Sequence, residues 1–511
     1  MNGIAHWIDK HAFITPKRVA LISEYRQFNY LEMSEEVNRL ARMLEARYGL
    51  QRGERIGIMA ANSIEYLILL FAIAKLGCIA VVLNIRLTPD EITYQLNDSG
   101  SRVLVAETTF KREAEHFLTT TGVMELLLFD PEEPSRNHLL EQAAEYSSAH
   151  FERSGVDGSC PYIICYTSGT TGRPKGAVLT QENMYWNAVN NVIALDLCST
   201  DKSLTLLPLF HIGGIGLFAL PTLFASGCVI VPNRFDPDKT LRMIEHYGAT
   251  IVMGVPTIYD LLLKSRNFEK TNLRSVRWFY TGGAPCPYEL IKEYWDRGLM
   301  FTQGFGMTET SPTVFMTPRE DYNRKIGSIG KAVMFCDIRV VDDQGCDVKP
   351  GEIGELLIKG GNVMQGYWNM PEATAATIRD GWLMTGDLVT QDDEGFVYIV
   401  GRKKDMIISG GENIYPLEVE QVIGQLASVD GVAVIGISDD KWGEVPVAVV
   451  VVKAGHELSE AEVKSHCLKR LAKYKVPVHV SFVSALPKNA TGKIDKRIIK
   501  AEFVREEQQH G

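Results

Sequence analysis

The chain has 511 residues, of which 45% are hydrophobic and 23% charged, and its formal net charge is −10. This length predicts two to four compact domains, and the acidic balance argues against general nucleic-acid binding, although a local basic cleft can still hold an anion. The nine cysteines are scattered without a C-x-x-C pair, so neither a disulfide framework nor a zinc cluster is predicted and a cytoplasmic location is expected.

The N-terminal sequence MNGIAHWIDKHAF has no basic start followed by an apolar core, so we expect no signal peptide. One apolar segment, residues 66–84, is nearly long enough to span a bilayer, but Lys75 and Gly77 interrupt it. We interpret this segment as a buried helix followed by a β-strand, and we expect no stable membrane span.

Short strand-like runs alternate with longer segments of helical period through the first half of the chain. This alternation is typical of β-α-β units, so the sequence predicts an α/β domain in which helices cover mainly parallel sheets. The runs lie at residues 54–60, 78–84, 102–107, 126–130, 162–168, 228–232 and 250–256.

The polar segment YTSGTTGRPKGAVLTQENM, residues 166–184, combines glycines, hydroxyl side chains and Lys175. It follows an apolar run and precedes a helical pattern that begins at Thr180, so we interpret it as a strand-to-helix loop. Glycines allow close backbone approach, and hydroxyl and ammonium groups donate hydrogen bonds, which together suit a polyphosphate. A Walker A loop is disfavoured because no lysine follows the required second glycine; a polar surface loop is the alternative.

A second glycine pattern, G-x-G-x-x-A at residues 214–219, formally matches a dinucleotide-binding fingerprint. Pro208 and His211 interrupt the strand that should lead into those glycines, and the short pattern is weak evidence by itself. A dehydrogenase is therefore disfavoured.

The texture of the sequence changes at Ile338, where short strands and turns predict antiparallel β-structure or a small barrel. A charged segment at residues 401–405 marks a predicted domain boundary at about residue 401. The predicted domains are residues 1–400, which are α/β, and residues 401–511, which form a small α+β domain. In the second domain helices are predicted at 417–426 and 460–472, and strands at 432–437 and 446–452.

Four motifs occur in the order found in one enzyme superfamily. YTSGTTGRPKG (166–176) resembles its nucleotide loop, QGFGMTE (303–309) its aromatic-Gly-x-Thr-Glu motif, TGD (385–387) with Arg402 its ribose-binding pair, and PKNATGKIDKR (487–497) the motif of its catalytic lysine. The chain thus resembles the adenylate-forming superfamily, which includes acyl-CoA synthetases, luciferases and peptide-synthetase adenylation domains.

The resemblance implies a role for single residues. Phe305 would stack on adenine, Thr308 would contact the α-phosphate, Glu309 would hold Mg²⁺, Asp387 would bind the ribose hydroxyls, and Lys493 would act in adenylation. A single carboxylate can bind a cation whose other ligands are phosphate oxygens. The other residues that the resemblance assigns to ATP are Thr167, Ser168, Gly169, Thr170, Thr171, Gly172, Lys175, Gly304, Gly306, Met307 and Arg402, and Thr167 is a second candidate metal ligand.

The acid to be activated is expected to be neutral apart from its carboxylate. Amino-acid-activating relatives place an aspartate in the stretch that corresponds to residues 207–227, and here that stretch contains no acid. His211 resembles the gate residue beside the substrate carboxylate, with a core histidine as the alternative. By resemblance the pocket is lined by His211, Gly213, Gly214, Tyr280, Thr281, Gly282, Gly283, Ala284, Gly304 and Val314.

The C-terminal sequence points to CoA as the acceptor. DMIISGGENIYPLEVE (405–420) matches the loop that lines the pantetheine tunnel of acyl-CoA synthetases, and Lys404 falls at the family's hinge position. The basic run 464–475 suits the CoA phosphates, with a solvated helix face as the alternative. The residues assigned to CoA are Ser409, Gly410, Gly411, Glu412 and Trp442 by resemblance, and Lys475 from the basic run.

The resemblance therefore implies a Mg²⁺-dependent acyl-CoA synthetase that converts a carboxylic acid, ATP and CoA to acyl-CoA, AMP and diphosphate through an acyl-adenylate. Gly213 and Gly214 occupy positions where ligases of aromatic acids often carry a bulky ring. Two missing side chains are expected to open the pocket floor, so a medium- or long-chain fatty acid is favoured. An aryl-acid CoA ligase and a ligase that loads a carrier-protein pantetheine are the alternatives. A luciferase-like oxygenase and a non-enzymatic nucleotide-binding module have less support, and a homodimer stays open.

Overall fold

The computed structural model describes residues 3–133, 138–167, 173–283, 286–489 and 492–510. By the contacts between Cα atoms the chain forms two compact units. Unit 1 comprises Met1–Ile338 and Ile358–Leu383, and unit 2 comprises Arg339–Leu357 and Met384–Gly511. The predicted boundary at about residue 401 stays a prediction.

The α-helices are α1 His6–Ile14, α2 Tyr30–Tyr48, α3 Ile64–Leu76, α4 Pro89–Ser99, α5 Lys111–Thr120, α6 His138–Ala143, α7 Gln181–Leu195, α8 Ile212–Gly214, α9 Leu220–Phe224, α10 Pro237–Tyr247, α11 Pro256–Lys264, α12 Tyr288–Asp296, α13 Pro371–Thr377, α14 Pro416–Ile423, α15 Glu460–Leu468 and α16 Lys496–His510.

The strands are β1 Val19–Ile22, β2 Gln27–Asn29, β3 Arg55–Met59, β4 Ile79–Val82, β5 Val103–Glu107, β6 Glu125–Phe129, β7 Pro161–Thr167, β8 Lys175–Thr180, β9 Lys202–Thr205, β10 Cys228–Ile230, β11 Ile251–Gly254, β12 Trp278–Thr281, β13 Phe301–Gly306, β14 Thr313–Met316, β15 Lys331–Ala332, β16 Cys336–Val341, β17 Ile353–Gly360, β18 Gly366–Tyr367, β19 Ile378–Arg379, β20 Trp382–Gln391, β21 Val397–Arg402, β22 Ile407–Ser409, β23 Glu412–Ile414, β24 Val429–Asp439, β25 Gly443–Val452 and β26 His479–Phe482.

Unit 1 contains two large mixed sheets. One has the order β15-β14-β13-β12-β11-β9-β10-β1-β2 and the other the order β18-β8-β7-β4-β3-β5-β6. The inner strands pair in parallel, as β11 with β12 and β3 with β4, and antiparallel strands lie at the edges, as β13 with β14. The predicted α/β domain with parallel sheets is thus confirmed.

Helix α3 occupies the first part of the apolar segment 66–84. Ser63 caps its N-terminus, Gly77 ends it in the left-handed conformation, and every residue between them is buried. Strand β4 follows at once, which confirms the interpretation as a buried helix and strand. In the described residues no helix is long and apolar enough to cross a membrane.

Unit 2 is built mainly from antiparallel strands, with helices α14, α15 and α16. Within this unit β16, β17 and β20 are neighbours in one sheet, and β21 pairs antiparallel with β20. This arrangement confirms antiparallel β-structure, and the open strand order excludes the small barrel among the described residues. The last sheet has the order β23-β22-β25-β24, with β26 parallel to β25, and α14, β24, β25 and α15 correspond to the predicted elements.

Candidate functional site

The interpretation of residues 166–184 as a strand-to-helix loop is wrong. Strands β7 and β8 pair antiparallel from Pro161↔Thr180 to Thr167↔Lys175, so the segment is a hairpin. Helix α7 begins only at Gln181, because Thr180 caps it in a reciprocal capping box with Asn183. The hairpin still places Thr167 and Lys175 on neighbouring strands. The predicted phosphate-binding residues Ser168, Gly169, Thr170, Thr171 and Gly172 lie outside the described residues.

The candidate metal ligand Glu309 lies in a 3₁₀ turn, Thr308–Thr310, between β13 and β14, and is only 8% exposed. The Thr310 hydroxyl joins the two sides of this turn, since it accepts from the Met307 amide at 3.1 Å and donates to the Pro312 carbonyl at 2.6 Å. Asn362, fully buried, donates to the carbonyls of Thr310 and Thr313 at 2.9 and 2.8 Å. The turn is therefore fixed from within the protein.

A tyrosine far away in sequence contacts this carboxylate. The Tyr367 hydroxyl donates to Glu309 Oε1 at 2.9 Å, and Lys175 Nζ lies 5.0 Å from the centroid of the Tyr367 ring. Glu309, Tyr367 and Lys175, which are far apart in the sequence, thus form one cluster in unit 1, which we call the Glu309 cluster. Sequence reasoning missed Tyr367, because only the fold brings it to the carboxylate.

The described residues contain no group of three His, Cys, Asp or Glu side chains that could hold a metal ion. The Glu309 cluster nevertheless fits magnesium, because a buried carboxylate with one oxygen held by a hydroxyl is the donor that Mg²⁺ uses when substrate phosphates supply the remaining ligands. Thr167, the second candidate metal ligand, donates a hydrogen bond from its hydroxyl to the Lys175 carbonyl at 3.4 Å.

Cys165, at the end of β7, lies beside the same turn. Burial raises the pKa of its thiol to about 12, and hydrogen bonds with the Ile212 backbone and the Thr308 side chain oppose that shift in part. Cys165 thus lies near the predicted α-phosphate ligand Thr308 and near Ile212, the first residue of α8, which His211 precedes. The thiol stays protonated at neutral pH and has a structural role here.

The predicted adenine-stacking residue Phe305 is half-buried on β13, and its ring centroid lies 6.0 Å from that of Phe315 at an angle of 62°. The next residue, Gly306, cannot carry a side chain, since a Cβ there would come within 1.7 Å of the Pro312 carbonyl oxygen. Strands β13 and β14 therefore approach each other closely at this point.

The glycines in the predicted acyl pocket have unequal surroundings. A Cβ on Gly214 would lie 2.2 Å from the Pro208 carbonyl oxygen, whereas the nearest atom to a Cβ on Gly213 is Leu207 Cδ1 at 3.4 Å. The expectation that two missing side chains open the pocket floor is therefore wrong for Gly214, because backbone fills the space. Gly216 contacts Pro312 and the Ser311 carbonyl in the same way, so the dinucleotide-like pattern serves close packing.

A tyrosine bounds the space beside Gly304. A Cβ on Gly304 would lie 1.7 Å from the Tyr280 hydroxyl oxygen and 2.6 Å from the Phe315 carbonyl oxygen. The Tyr280 ring, 1% exposed, packs edge-on against Phe218 at a centroid distance of 5.4 Å. Of the other predicted lining residues, Thr281 and Val314 are fully buried, Gly282 and Gly283 follow β12, and Ala284 lies outside the described residues.

In unit 2 the predicted ribose pair is an ion pair. Arg402 Nε lies 2.7 Å from Asp387 Oδ1, with the two residues opposite each other on β20 and β21. Arg402 also donates to the Thr385 carbonyl at 3.1 Å. Asp387 is 3% exposed, whereas the Arg402 side chain is 42% exposed. The sheet register therefore sets this pair.

The predicted pantetheine loop is a tight hairpin between β22 and β23. Gly410 and Gly411 both have positive φ, 59° and 87°, as a two-residue turn between antiparallel strands requires. The Gly410 amide donates to the Trp442 carbonyl at 2.7 Å, and a Cβ on Gly410 would strike the Trp442 ring at 2.7 Å. The loop residues Ser409 and Glu412 face each other across this turn, next to Trp442, which is 49% exposed.

The basic run 464–475 is not one helix face, because α15 ends at Leu468 instead of residue 472. Lys475 Nζ contacts both carboxylate oxygens of Glu418 at 2.8 Å, and Lys464 Nζ lies 2.6 Å from Glu460. These two lysines are partly neutralised, so the positive charge offered to an anion is smaller than the sequence suggests.

Two further predicted residues are exposed. Lys404 lies in the 3₁₀ turn Lys403–Asp405 directly after β21. Lys493 lies in a loop where its amide donates to Asn489 Oδ1 at 3.0 Å and its carbonyl accepts from the Asn489 amide at 2.8 Å. The roles of both lysines stay predictions.

Comparison with known proteins identifies the relatives of this chain. Residues 8–368 match the AMP-binding enzyme family and residues 418–493 match the AMP-binding enzyme C-terminal domain. A feruloyl-CoA synthase from Amycolatopsis sp is 40% identical over 507 residues, covering 98% of this chain and 99% of the relative. An indoleacetate–CoA ligase from Aromatoleum aromaticum is 40% identical, covering 96% of both chains.

A more distant relative and a solved structure complete the comparison. The long-chain-fatty-acid–CoA ligase FadD13 from Mycobacterium tuberculosis is 35% identical, covering 98% of this chain and 99% of the relative. The crystal structure of ATP-bound MatB from Rhodopseudomonas palustris superposes with a TM-score of 0.89 at 34% identity, covering 98% of this chain and 99% of that chain. The predicted fold is thus confirmed.

Proposed function

Because this chain belongs to the AMP-binding enzyme family and is an acid-thiol ligase, we propose that its acid is an aromatic carboxylic acid. The reaction joins this acid to CoA, consumes ATP, and releases AMP and diphosphate through an acyl-adenylate. The aromatic acid takes the place of the fatty acid that was expected from Gly213 and Gly214.

The observation that carries the proposal is the close packing at two glycines of the predicted pocket. The Pro208 carbonyl fills the space beside Gly214, and the Tyr280 hydroxyl and Phe315 carbonyl fill the space beside Gly304. A long alkyl chain needs a deep channel lined by apolar groups, because each buried methylene contributes about 0.8 kcal/mol only while the channel continues. Next to Gly304 the buried Tyr280 ring packs against Phe218, and aromatic surfaces of this kind suit a flat aromatic acid.

The lining also argues against a second charge on the substrate. Gly213, Thr281 and Val314 carry no ionisable group, and Thr281 and Val314 are fully buried. A second carboxylate or an ammonium group would lose its hydration without gaining a partner there. Two relatives named for feruloyl-CoA and indoleacetate support an aryl acid, while FadD13 supports the fatty acid.

We assign the steps of the reaction to this chain's residues as follows. His211 orients the substrate carboxylate, Thr308 donates to the α-phosphate, and Lys493 stabilises negative charge as the acyl oxygen attacks that phosphate in line. Asp387 binds the ribose. The hairpin at residues 409–412 then guides the pantetheine to the acyl-adenylate. Glu309 would hold magnesium, which would supply positive charge to the phosphates.

The test is a panel of acids assayed for thioester formation with ATP and CoA. Ferulate, indole-3-acetate and benzoate are compared with straight-chain acids of four to sixteen carbons at equal concentration. We expect the best aromatic acid to exceed every straight-chain acid in kcat/KM by about tenfold or more, which corresponds to one to two methylenes' worth of mismatch. A kcat/KM that rises steadily with chain length would overturn the aryl-acid assignment and restore the fatty acid. Much faster thioester formation on a carrier-protein pantetheine than on free CoA would make the carrier protein the acceptor.

A further inference from the structure

We propose that Tyr367 is a positioning residue that orients the Glu309 carboxylate for the magnesium ion of bound ATP; this inference rests on the proposed function. Its hydroxyl donates to Glu309 Oε1 at 2.9 Å, and its ring lies against the Lys175 ammonium at 5.0 Å. One side chain thereby contacts both the predicted metal ligand and the predicted phosphate ligand.

The backbone around Tyr367 is anchored to the strand that carries Lys175. Strand β18 pairs antiparallel with β8, so that Tyr367 lies opposite Ala177. The Trp368 amide donates to the Gly176 carbonyl at 2.7 Å, and the Tyr367 amide donates to the Thr374 hydroxyl at 2.9 Å. The position of the ring relative to Lys175 is therefore determined by sheet register.

The same segment also holds the backbone of the metal ligand. The Met364 amide donates to the Glu309 carbonyl at 2.8 Å, three residues before Tyr367 contacts the Glu309 side chain. Asn362 fixes the carbonyls of Thr310 and Thr313. Residues 362–367 thus form hydrogen bonds with both the backbone of the turn and the Glu309 carboxylate. These bonds restrict rotation of the Glu309 side chain.

The physical effect of the hydroxyl is on one oxygen of the carboxylate. A hydrogen bond to Oε1 fixes the plane of the group and leaves Oε2 to face a cation. A carboxylate without that bond must be ordered when the cation arrives, and the lost freedom weakens binding. The ring contributes separately, since a cation over an aromatic face is attracted to it, which holds the Lys175 ammonium beside the Tyr367 ring.

The experiment measures ATP binding by calorimetry at fixed ionic strength, once with excess Mg²⁺ and once with EDTA. Tyr367→Phe removes the hydroxyl and keeps the ring, whereas Tyr367→Leu removes both. Tyr398→Phe is the matched control, because the Tyr398 hydroxyl donates to the Asp392 carboxylate at 3.3 Å in unit 2. Thermal unfolding midpoints of all variants report whether folding is intact.

We expect Tyr367→Phe to weaken binding of ATP with Mg²⁺ by about tenfold, as for a lost hydrogen bond to a charged group, and to leave binding in EDTA within twofold. Tyr367→Leu should weaken both. Parental binding of ATP with Mg²⁺ by Tyr367→Phe, or an equal loss with and without Mg²⁺, would overturn the inference alone. If the parental protein binds ATP equally well with and without Mg²⁺, both the assignment of Glu309 and this inference are overturned. The acid panel tests the ligase reaction separately.

Discussion

Arg402 Nε lies 2.7 Å from Oδ1 of the nearly buried Asp387, directly across the β20–β21 pair. This contact holds one carboxylate oxygen of Asp387 in a fixed direction. We predict that Asp387→Asn raises the KM for ATP by about tenfold or more, since a hydrogen bond to a charged acceptor is lost. ATP–diphosphate exchange at varied ATP measures it. Asp347→Asn, which breaks the exposed pair with Arg339, is the control, and an equal change in KM there would contradict the ribose assignment.

Lys493→Ala should slow adenylate formation by on the order of 10²-fold, because a cation near the developing charge stabilises the transition state more than the ground state. Thioester formation from a preformed acyl-adenylate should keep the parental rate. Single-turnover assays separate the two steps. Lys488, exposed on the other side of the same loop and bridged to Ile494, provides the control Lys488→Ala. Equal losses in both steps would refute the assignment of Lys493.

Lys404→Pro is predicted to have the converse effect. Proline fixes φ near −65°, so a backbone change at this position in the 3₁₀ turn Lys403–Asp405 would be blocked. Adenylation should continue and thioester formation should fall by about tenfold or more. Lys404→Ala removes the same charge without the constraint and should behave like the parent. If the proline variant forms thioester from adenylate at the parental rate, Lys404 is not the hinge.

Gly214→Ala and Gly213→Ala form a matched pair. A Cβ on Gly214 meets the Pro208 carbonyl oxygen at 2.2 Å, so backbone must shift, and we expect a loss of about 2 kcal/mol in stability. Gly213→Ala meets its nearest atom at 3.4 Å and should fold normally, while the smaller pocket lowers kcat/KM for the bulkiest aromatic acids. Thermal unfolding and the acid panel measure both effects. Equal stability of the two variants would contradict the close packing at Gly214.

Asp201 gives a prediction for stability and its pH dependence. Burial pushes the pKa of this carboxyl upward, but hydrogen bonds from Arg277, the Cys198 amide and Thr250 outweigh burial, and the pKa is lowered below its usual value of 3.8. Its contribution to stability is therefore complete above about pH 4 and is lost as the pH falls through the lowered pKa.

Asp201→Asn should accordingly lower stability by about 2 kcal/mol at pH 7, because Arg277 loses its partner at 2.7 Å. Thermal unfolding at pH 7 and below pH 4 should show the difference from the parent shrinking at the lower pH. Asp260→Asn, which breaks an exposed pair with Lys264, should change little at either pH. A constant difference across this range would show that the carboxylate charge does not matter.

The sequence supports its strongest predictions where a local pattern determines the structure. The apolar segment 66–84, interrupted by Lys75 and Gly77, predicts a buried helix followed by a strand, and α3 and β4 confirm it. Helix α7 begins one residue later than the sequence predicts. Strand β8 is not predicted, because GAVLT is too short a run to distinguish strand from helix. The family motifs located Glu309, Asp387 and Arg402 by likeness to known enzymes, without indicating their contacts.

Other features depend on contacts between distant segments and have no local signal. Tyr367 contacts Glu309 across 58 positions of the chain, and only the pairing of β18 with β8 brings them together. Position 214 requires glycine because a Cβ there would strike the Pro208 carbonyl. Position 304 requires it because a Cβ would strike the Tyr280 hydroxyl. Because these contacts depend on the folded backbone, the sequence alone does not predict that Gly214 has no room for a side chain.

Unit 1 consists of two separate segments of the chain, and this limits which truncations can leave it folded. Strand β18 covers the edge of β8, and Asn362 pairs with the carbonyls of Thr310 and Thr313. A fragment ending at residue 338 would therefore expose the unpaired edge of β8 and two buried carbonyl groups, and free strand edges associate with one another. Such a truncation should be recovered as aggregate, and expressing this unit alone requires the stretch 358–383 to be joined back to it.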